Sequence, residues 1–314
     1  MTFQGKFADS LVPDQLDKLA LSFLVDDLDI RRGGCGANIA FGLAALGHKP
    51  VLVAAVGEDF DDLGYRAWLN ESGVDCGHLY VSPSLHTARC TITTDDAHAQ
   101  IVTFYAGAMA DSRHIDLAEL NDKVGGLDLV LIGPDDPEGM LRHTNVCREK
   151  GLPFAADPSQ QLAWADGAMI RDLIDGATYL FSNDYEAALI EQKTGWTTAE
   201  VQSHVDIRVV THGADGVKVY PADGSEISVS AIDGIIAIDP TGVGDSFRAG
   251  FLAAVAAGLG LERAAQVGCT VAASVVETKG TQEYELTRDG FLKRFSTAYG
   301  DEAASEVDAA LTLP

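Results

Sequence analysis

The chain has 314 residues, 46% of them hydrophobic, enough to bury a full core in one large or two modest domains. Its 47 acidic against 22 basic residues give a formal charge of -25, which argues against nucleic-acid or anionic-membrane partners because such a surface repels their phosphates. Five widely spaced cysteines without a CxxC pair argue against a disulfide frame or zinc knuckle, and the absence of a leader-like start or of an apolar run near the roughly 20 residues of a bilayer span points to a cytoplasmic protein.

In chain order, the opening MTFQGKFADSLVPDQL is polar and loop-like. Residues 31–47, RRGGCGANIAFGLAALG, place a glycine pair, Gly33 and Gly34, ahead of Asn38 and a helix of small residues. As a dinucleotide fingerprint this stretch fails, because the third position of GxGxxG is Ile39 and no convincing strand precedes it. Apolar runs of strand length follow: VLVAAV (51–56), LDLVLIG (127–133), PFAAD (153–157), TYLFS (178–182) and IRVVTH (207–212). They alternate with helix-length segments, which predicts a parallel sheet covered on both faces. Residues 87–106 instead alternate in polarity around a polar DDAH turn, the pattern of a hairpin with one wet face, so a small lid is expected on the α/β body. Helical spacing returns around 245–258, 261–277 and 287–298, and an acidic, Ala-rich tail runs from Gly300 to Pro314. The expected organisation is one α/β domain over 1–314 with lid elements at about 1–30 and 85–107.

DPTGVGD (239–245) runs into a helix whose Phe247, Phe251 and Val255 share one face. Its glycines allow backbone conformations closed to other residues, and the first amides of the helix have no intrahelical partner. With the positive end of the helix dipole they make a site for a phosphate, and Asp245 stands beside it as a candidate base or as a helix cap. The lysine and hydroxyl of GxxxxGK[ST] are missing, so the loop is not a P-loop.

GGxxxN near the start and DPTGVGD near the end, with NDYE (183–186) and THG (211–213) between them, resemble the ribokinase-like (PfkB) carbohydrate kinases. SFLVDDL (22–28), AADPSQQLA (155–163), KTGW (193–196) and GTQEYE (280–285) look most like the bacterial adenosine kinases of that family. The resemblance implies a ribokinase-like three-layer α/β sandwich, a mostly parallel central sheet flanked by helices, with a small β lid. It implies an ATP-dependent transfer of phosphate to the 5'-hydroxyl of adenosine, giving AMP. In that scheme Asp245 takes the hydroxyl proton, and the amides of Gly242, Val243 and Gly244 form the anion hole. Ser22, Gly34 and Asn38 hold the nucleoside, Gln160 and Gln161 bond its sugar or base, and Phe104 stacks on the purine, although Cys90 stands where a partner aromatic is expected. Asn183 and the loop Thr211, His212, Gly213, Ala214, Asp215 and Gly216, with Gly244, contact ATP, while Glu186 holds Mg²⁺ through water. Asn183 and Glu186 equally fit a helix capping pair. Arg248, one turn beyond Asp245, faces either a phosphate or solvent.

A monovalent cation such as K⁺ near Asp239 and a homodimer through the lid edge complete the expectations. Members of the family open with a GSxxxD strand whose aspartate clamps the ribose, and no such run precedes Gly33. The first core strand is therefore expected to be missing, either because Met1 is internal to a longer reading frame or because the chain is a shortened relative. The alternatives to an adenosine kinase are a sugar kinase of the ribokinase or fructokinase type and a catalytically impaired nucleoside-binding relative.

Overall fold

The computed structural model describes residues 1–7, 24–97 and 100–313, Gln100 in its backbone only. The chain starts in a small sheet, where β1 (Thr2–Phe3) pairs antiparallel with β2 (Val25–Asp27). Helix α1 (Cys35–Ala45) follows, and the short helices α2 (Asp59–Asp62) and α3 (Tyr65–Glu71) lie between β3 (Ala55–Val56) and β4 (Tyr80–Val81), which form a two-stranded parallel sheet. The hairpin of β5 (Arg89–Thr94) and β6 (Gln100–Tyr105) then returns to the first sheet, whose order is β2-β1-β5-β6. The hairpin appears as read from its alternation. The first residues are built into this small sheet and not into the large one.

The main body is a six-stranded sheet of order β12-β11-β10-β9-β8-β7. Helix α4 (Leu117–Val124) leads into β7 (Val130–Ile132), and α5 (Pro137–Lys150) crosses to β8 (Phe154–Ala156). Helix α6 (Gly167–Ile174) precedes β9 (Ala177–Asn183), and α7 (Asp184–Thr194) with α8 (Thr198–Ser203) precedes β10 (Val205–Thr211). These four strands are parallel; β11 (Val217–Pro221) and β12 (Ile227–Val229) continue antiparallel. Alternate side chains of β9 feed two separate cores: Tyr179 and Phe181 pack with Phe251 on one face, Leu180 with Ile170 and Leu173 on the other. A strand buried on both faces has no polar side, which is why these runs read as continuously apolar.

The chain closes with α9 (Val243–Ala256), α10 (Leu261–Val276), α11 (Arg288–Tyr299) and α12 (Asp301–Ala310). Helices α9 and α10 cross at glycines: a Cβ on Gly250 would lie 2.8 Å from Gly268 Cα, and one on Gly268 would lie 2.8 Å from the Phe247 ring. The close crossing sets the direction of α9 and hence where its first turn points. Two expectations change here. VLVAAV is a strand only at 55–56, with a single bridge from Val51 to Asp75, because the partner backbone is Tyr80 and Val81 and no longer run. The acidic tail is helix α12, since Ala303, Ala304, Val307 and Leu311 recur at helical spacing and are buried against the core while the acids face out.

Candidate active site

Helix α9 begins at a loop held in shape by its own side chains. The Asp239 carboxylate accepts from the Thr241 amide at 2.9 Å and the Gly280 amide at 3.0 Å, tying the loop to the segment before α11. Gly242 then caps the helix in the left-handed region, with φ 77°, and a Cβ there would lie 2.8 Å from Thr281 Cγ2. Glycine is thus required twice over, for backbone angle and for space. The Ser246 amide reaches Gly242 O at 2.9 Å as an i→i−4 bond, so the amides just before it stand at the positive end of a 14-residue helix. The carboxyl of Asp245 stands in that first turn.

Asp245 faces α1. Gly34, with φ 102°, caps α1 and accepts from the Asn38 amide at 2.8 Å, and the buried Asn38 side chain donates from Nδ2 to Asp245 Oδ2 at 2.7 Å. The two glycine motifs, 207 residues apart, therefore meet side chain to side chain. Burial lifts the Asp245 carboxyl above its ordinary range, while the Asn38 amide, the Arg248 guanidinium and the Cys35 thiol pull it back. Burial also pushes the Cys35 thiol up to about 12, so it stays protonated. The result is a carboxylate with raised proton affinity whose acceptor oxygen is held in place by a neutral donor.

Arg248 is not a solvated surface residue. It is buried and bound by the buried Asp157 after β8, with Nε 2.6 Å from Oδ2 and Nη2 donating to Oδ1 at 2.7 Å. Burial alone would raise Asp157 and lower Arg248; each charge offsets that for the other. The pair links the C-terminal end of a core strand to the helix that carries Asp245. Sequence reading missed Asp157, whose partner lies 91 residues away.

Gln160, Gln161, Asn183, Glu186 and the loop from Thr211 to Gly216 sit at the C-terminal ends of the parallel strands, where open α/β sheets collect ligands. Past β8, Gln160 Nε2 lies 4.0 Å from Cys35 Sγ, toward Asp245, whereas Gln161 Nε2 donates to Asp135 O at 2.8 Å and holds a neighbouring loop. Ser159, just before them, has φ 44°, a positive value found at no other non-glycine among the described residues. Past β9, Asn183 and Glu186 form a reciprocal capping box on α7, each accepting from the other's amide at 2.8 Å, and Glu186 Oε1 also lies 3.3 Å from Ser159 Oγ. Past β10, Thr211 ends the strand, the His212 amide bonds Gly216 O at 2.8 Å, and Gly213, Ala214 and Asp215 make a single 3-10 turn. Phe104 is 57% exposed on β6, directly opposite Cys90. Ser22 lies outside the described residues.

Among the described residues no three His, Cys, Asp or Glu side chains gather to hold a bare ion. Single carboxylates such as Glu186 beside open strand ends fit a magnesium ion that keeps its waters and rides on phosphates. Among those residues, too, no helix is long and apolar enough to cross a membrane.

Residues 9–288 match the profile of the pfkB family carbohydrate kinases. The chain belongs to that family. A nucleoside kinase of Methanocaldococcus jannaschii is 33% identical to this pfkB-family chain over 262 residues, 83% of this chain and 84% of its own length. The solved structure of Burkholderia thailandensis nucleoside kinase in complex with inosine is 34% identical, covers 96% of this chain and 95% of its own, and superposes with a TM-score of 0.84. The same Burkholderia enzyme is also solved in complex with ADP-inosine, 36% identical over 96% of this chain and 92% of its own, with a TM-score of 0.81. The fold is accordingly the ribokinase-like α/β fold expected from the motifs.

Proposed function

We propose that this pfkB-family protein is an ATP-dependent nucleoside kinase that phosphorylates the 5'-hydroxyl of a purine nucleoside, with adenosine as its acceptor and AMP as product. The observation that carries the reading is the 2.7 Å contact of Asn38 with Asp245, which joins the acceptor-side motif to the phosphate-side loop at one point. The similarity to nucleoside kinases over most of the chain supports a nucleoside in preference to a free sugar.

In this scheme the 5'-oxygen attacks the γ-phosphorus of ATP, Asp245 takes the hydroxyl proton, and ADP leaves. The amides of Gly242, Val243 and Gly244 receive the charge that develops on the transferring group; one such donor is worth about 3 kcal/mol in a dry site. Asn183 and the loop from Thr211 to Gly216 line the ATP side. Glu186 would hold Mg²⁺ through water, and the ion would neutralise phosphate charge. Asn38 and Gln160 line the acceptor side, beneath a lid made of the small sheet, with Phe104 available to stack on the base. The exposed edge of that sheet is the proposed contact in a homodimer.

Asp245→Asn should lower kcat by about 10²- to 10⁴-fold and leave nucleoside binding measurable by calorimetry. Near-normal kcat in this variant removes Asp245 as base. A coupled ADP-release assay on adenosine, inosine, cytidine, ribose and fructose ranks the acceptors; a preference for ribose or fructose overturns the nucleoside reading. Inosine belongs in the panel because it is the nucleoside bound by the Burkholderia relative.

A further inference from the structure

We propose that Gln282 and Trp68 are positioning residues for the base, acting through Asn38 in a chain of hydrogen bonds whose direction is set at its far end by a group that can only donate. The inference rests on the reading of Asp245 as base. Its starting point is the Trp68 indole on α3, whose Nε1–H donates to Gln282 Oε1 at 3.1 Å. An indole nitrogen carries a hydrogen and accepts nothing, so the amide oxygen of Gln282 is committed to it. Gln282 Nε2 must then face the other way, where it donates to Asn38 Oδ1 at 2.9 Å and to Tyr65 Oη at 2.6 Å. The Tyr65 hydroxyl spends its own hydrogen on Gly33 O at 2.8 Å and so receives from Gln282.

Asn38 Oδ1 also lies 2.9 Å from the Thr281 hydroxyl, whose single hydrogen has Arg32 O at 3.1 Å as a second acceptor, so the committed donor to Asn38 is Gln282. With its oxygen engaged by Gln282, Asn38 has Nδ2 left to present to Asp245. Gln282 is 1% exposed and Asn38 6%, so bulk water does not replace these partners if an amide turns over. The alternative orientation places the Asn38 oxygen against the Asp245 carboxylate, two acceptors in contact. That arrangement favours the protonated acid and disarms a base. The other groups around Asp245 are Arg248 on its own helix, Cys35 on α1, Asp157 behind Arg248, and Tyr284 on the segment that carries Gln282. None of them is altered in the variants below.

Gln282→Met removes the amide at similar length, and Trp68→Phe keeps a ring stacked on Phe41 and beneath Arg32 while deleting the N–H. The measurement is the pH profile of kcat/KM for the nucleoside, with thermal unfolding read in parallel. The acid limb is expected to move up by about one pH unit in Gln282→Met, because a hydrogen bond to a carboxylate is of that size, and by less in Trp68→Phe. A purely structural role would lower the unfolding midpoint and leave the limb where it is. If Gln282→Met does not fold, Trp68→Phe decides alone. Folded variants whose acid limbs coincide with that of the parent overturn the proposal. An inactive Asp245→Asn alongside unmoved limbs refutes the positioning chain only, whereas an active Asp245→Asn refutes the base itself.

Discussion

Around Asp245 the decisive residues are those that hold charge away from water. Arg248 and Asp157 form a buried pair with two short contacts, and removing one partner leaves the other charge stranded. Arg248→Met should therefore cost about 3–5 kcal/mol in chemical denaturation, while the double replacement Arg248→Met with Asp157→Leu should recover most of it. A single variant within about 0.5 kcal/mol of the parent would show that the pair is not desolvated as described. The same pair explains why an arginine is buried one turn from Asp245. It supplies positive potential at Asp245 without bonding it, and Asn38 takes one carboxylate oxygen. In sequence, Asp245 and its glycines were legible because a glycine loop before a helix is a local pattern. Arg248 was open between two roles there, since its choice depended on a residue 91 positions away.

At the level of elements, the first turn of α9 is only as well aimed as its crossing with α10. An alanine at Gly268 puts a methyl 2.8 Å from the Phe247 ring, two residues past Asp245. Gly268→Ala is expected to cost about 1–3 kcal/mol in stability and to lower kcat more than it raises the KM for ATP, through displacement of α9. A fully active, fully stable variant would show that the helices can part without consequence. The parallel strands were readable as apolar runs because burial on both faces leaves no alternation to interpret. Helix α12 was not read, because an acidic, Ala-rich composition masks a short apolar period that matters only once a core lies beside it. The curtailed strand at 55–56 has a similar origin: β-propensity continues beyond the point where a partner backbone ends.

For the whole molecule the formal charge of -25 is the dominant long-range term. Like charges on a compact surface repel, and the Debye length falls from about 10 Å at 0.1 M salt to about 3 Å at 1 M. The thermal midpoint should therefore rise between those two NaCl concentrations at pH 7. A flat or falling midpoint would mean that specific ion pairs, such as Arg89 with Asp59 and Arg263 with Glu306, outweigh the general repulsion.

Short-range chemistry alone settled the glycine loops ahead of α1 and α9, the apolar strands of the main sheet and, through the order of its motifs, the family. Each of these depends on residues close together in the chain, where backbone angle, capping and side-chain period act without help. Folding alone decided which polar groups meet: Asn38 with Asp245 across 207 residues, and Gln282 with Asn38 across 244. Those contacts follow from the packing of α1, α3 and α9 around one point. Their hydrogen-bond directions are fixed there because buried donors and acceptors must each find a partner, a condition that no local stretch of sequence carries.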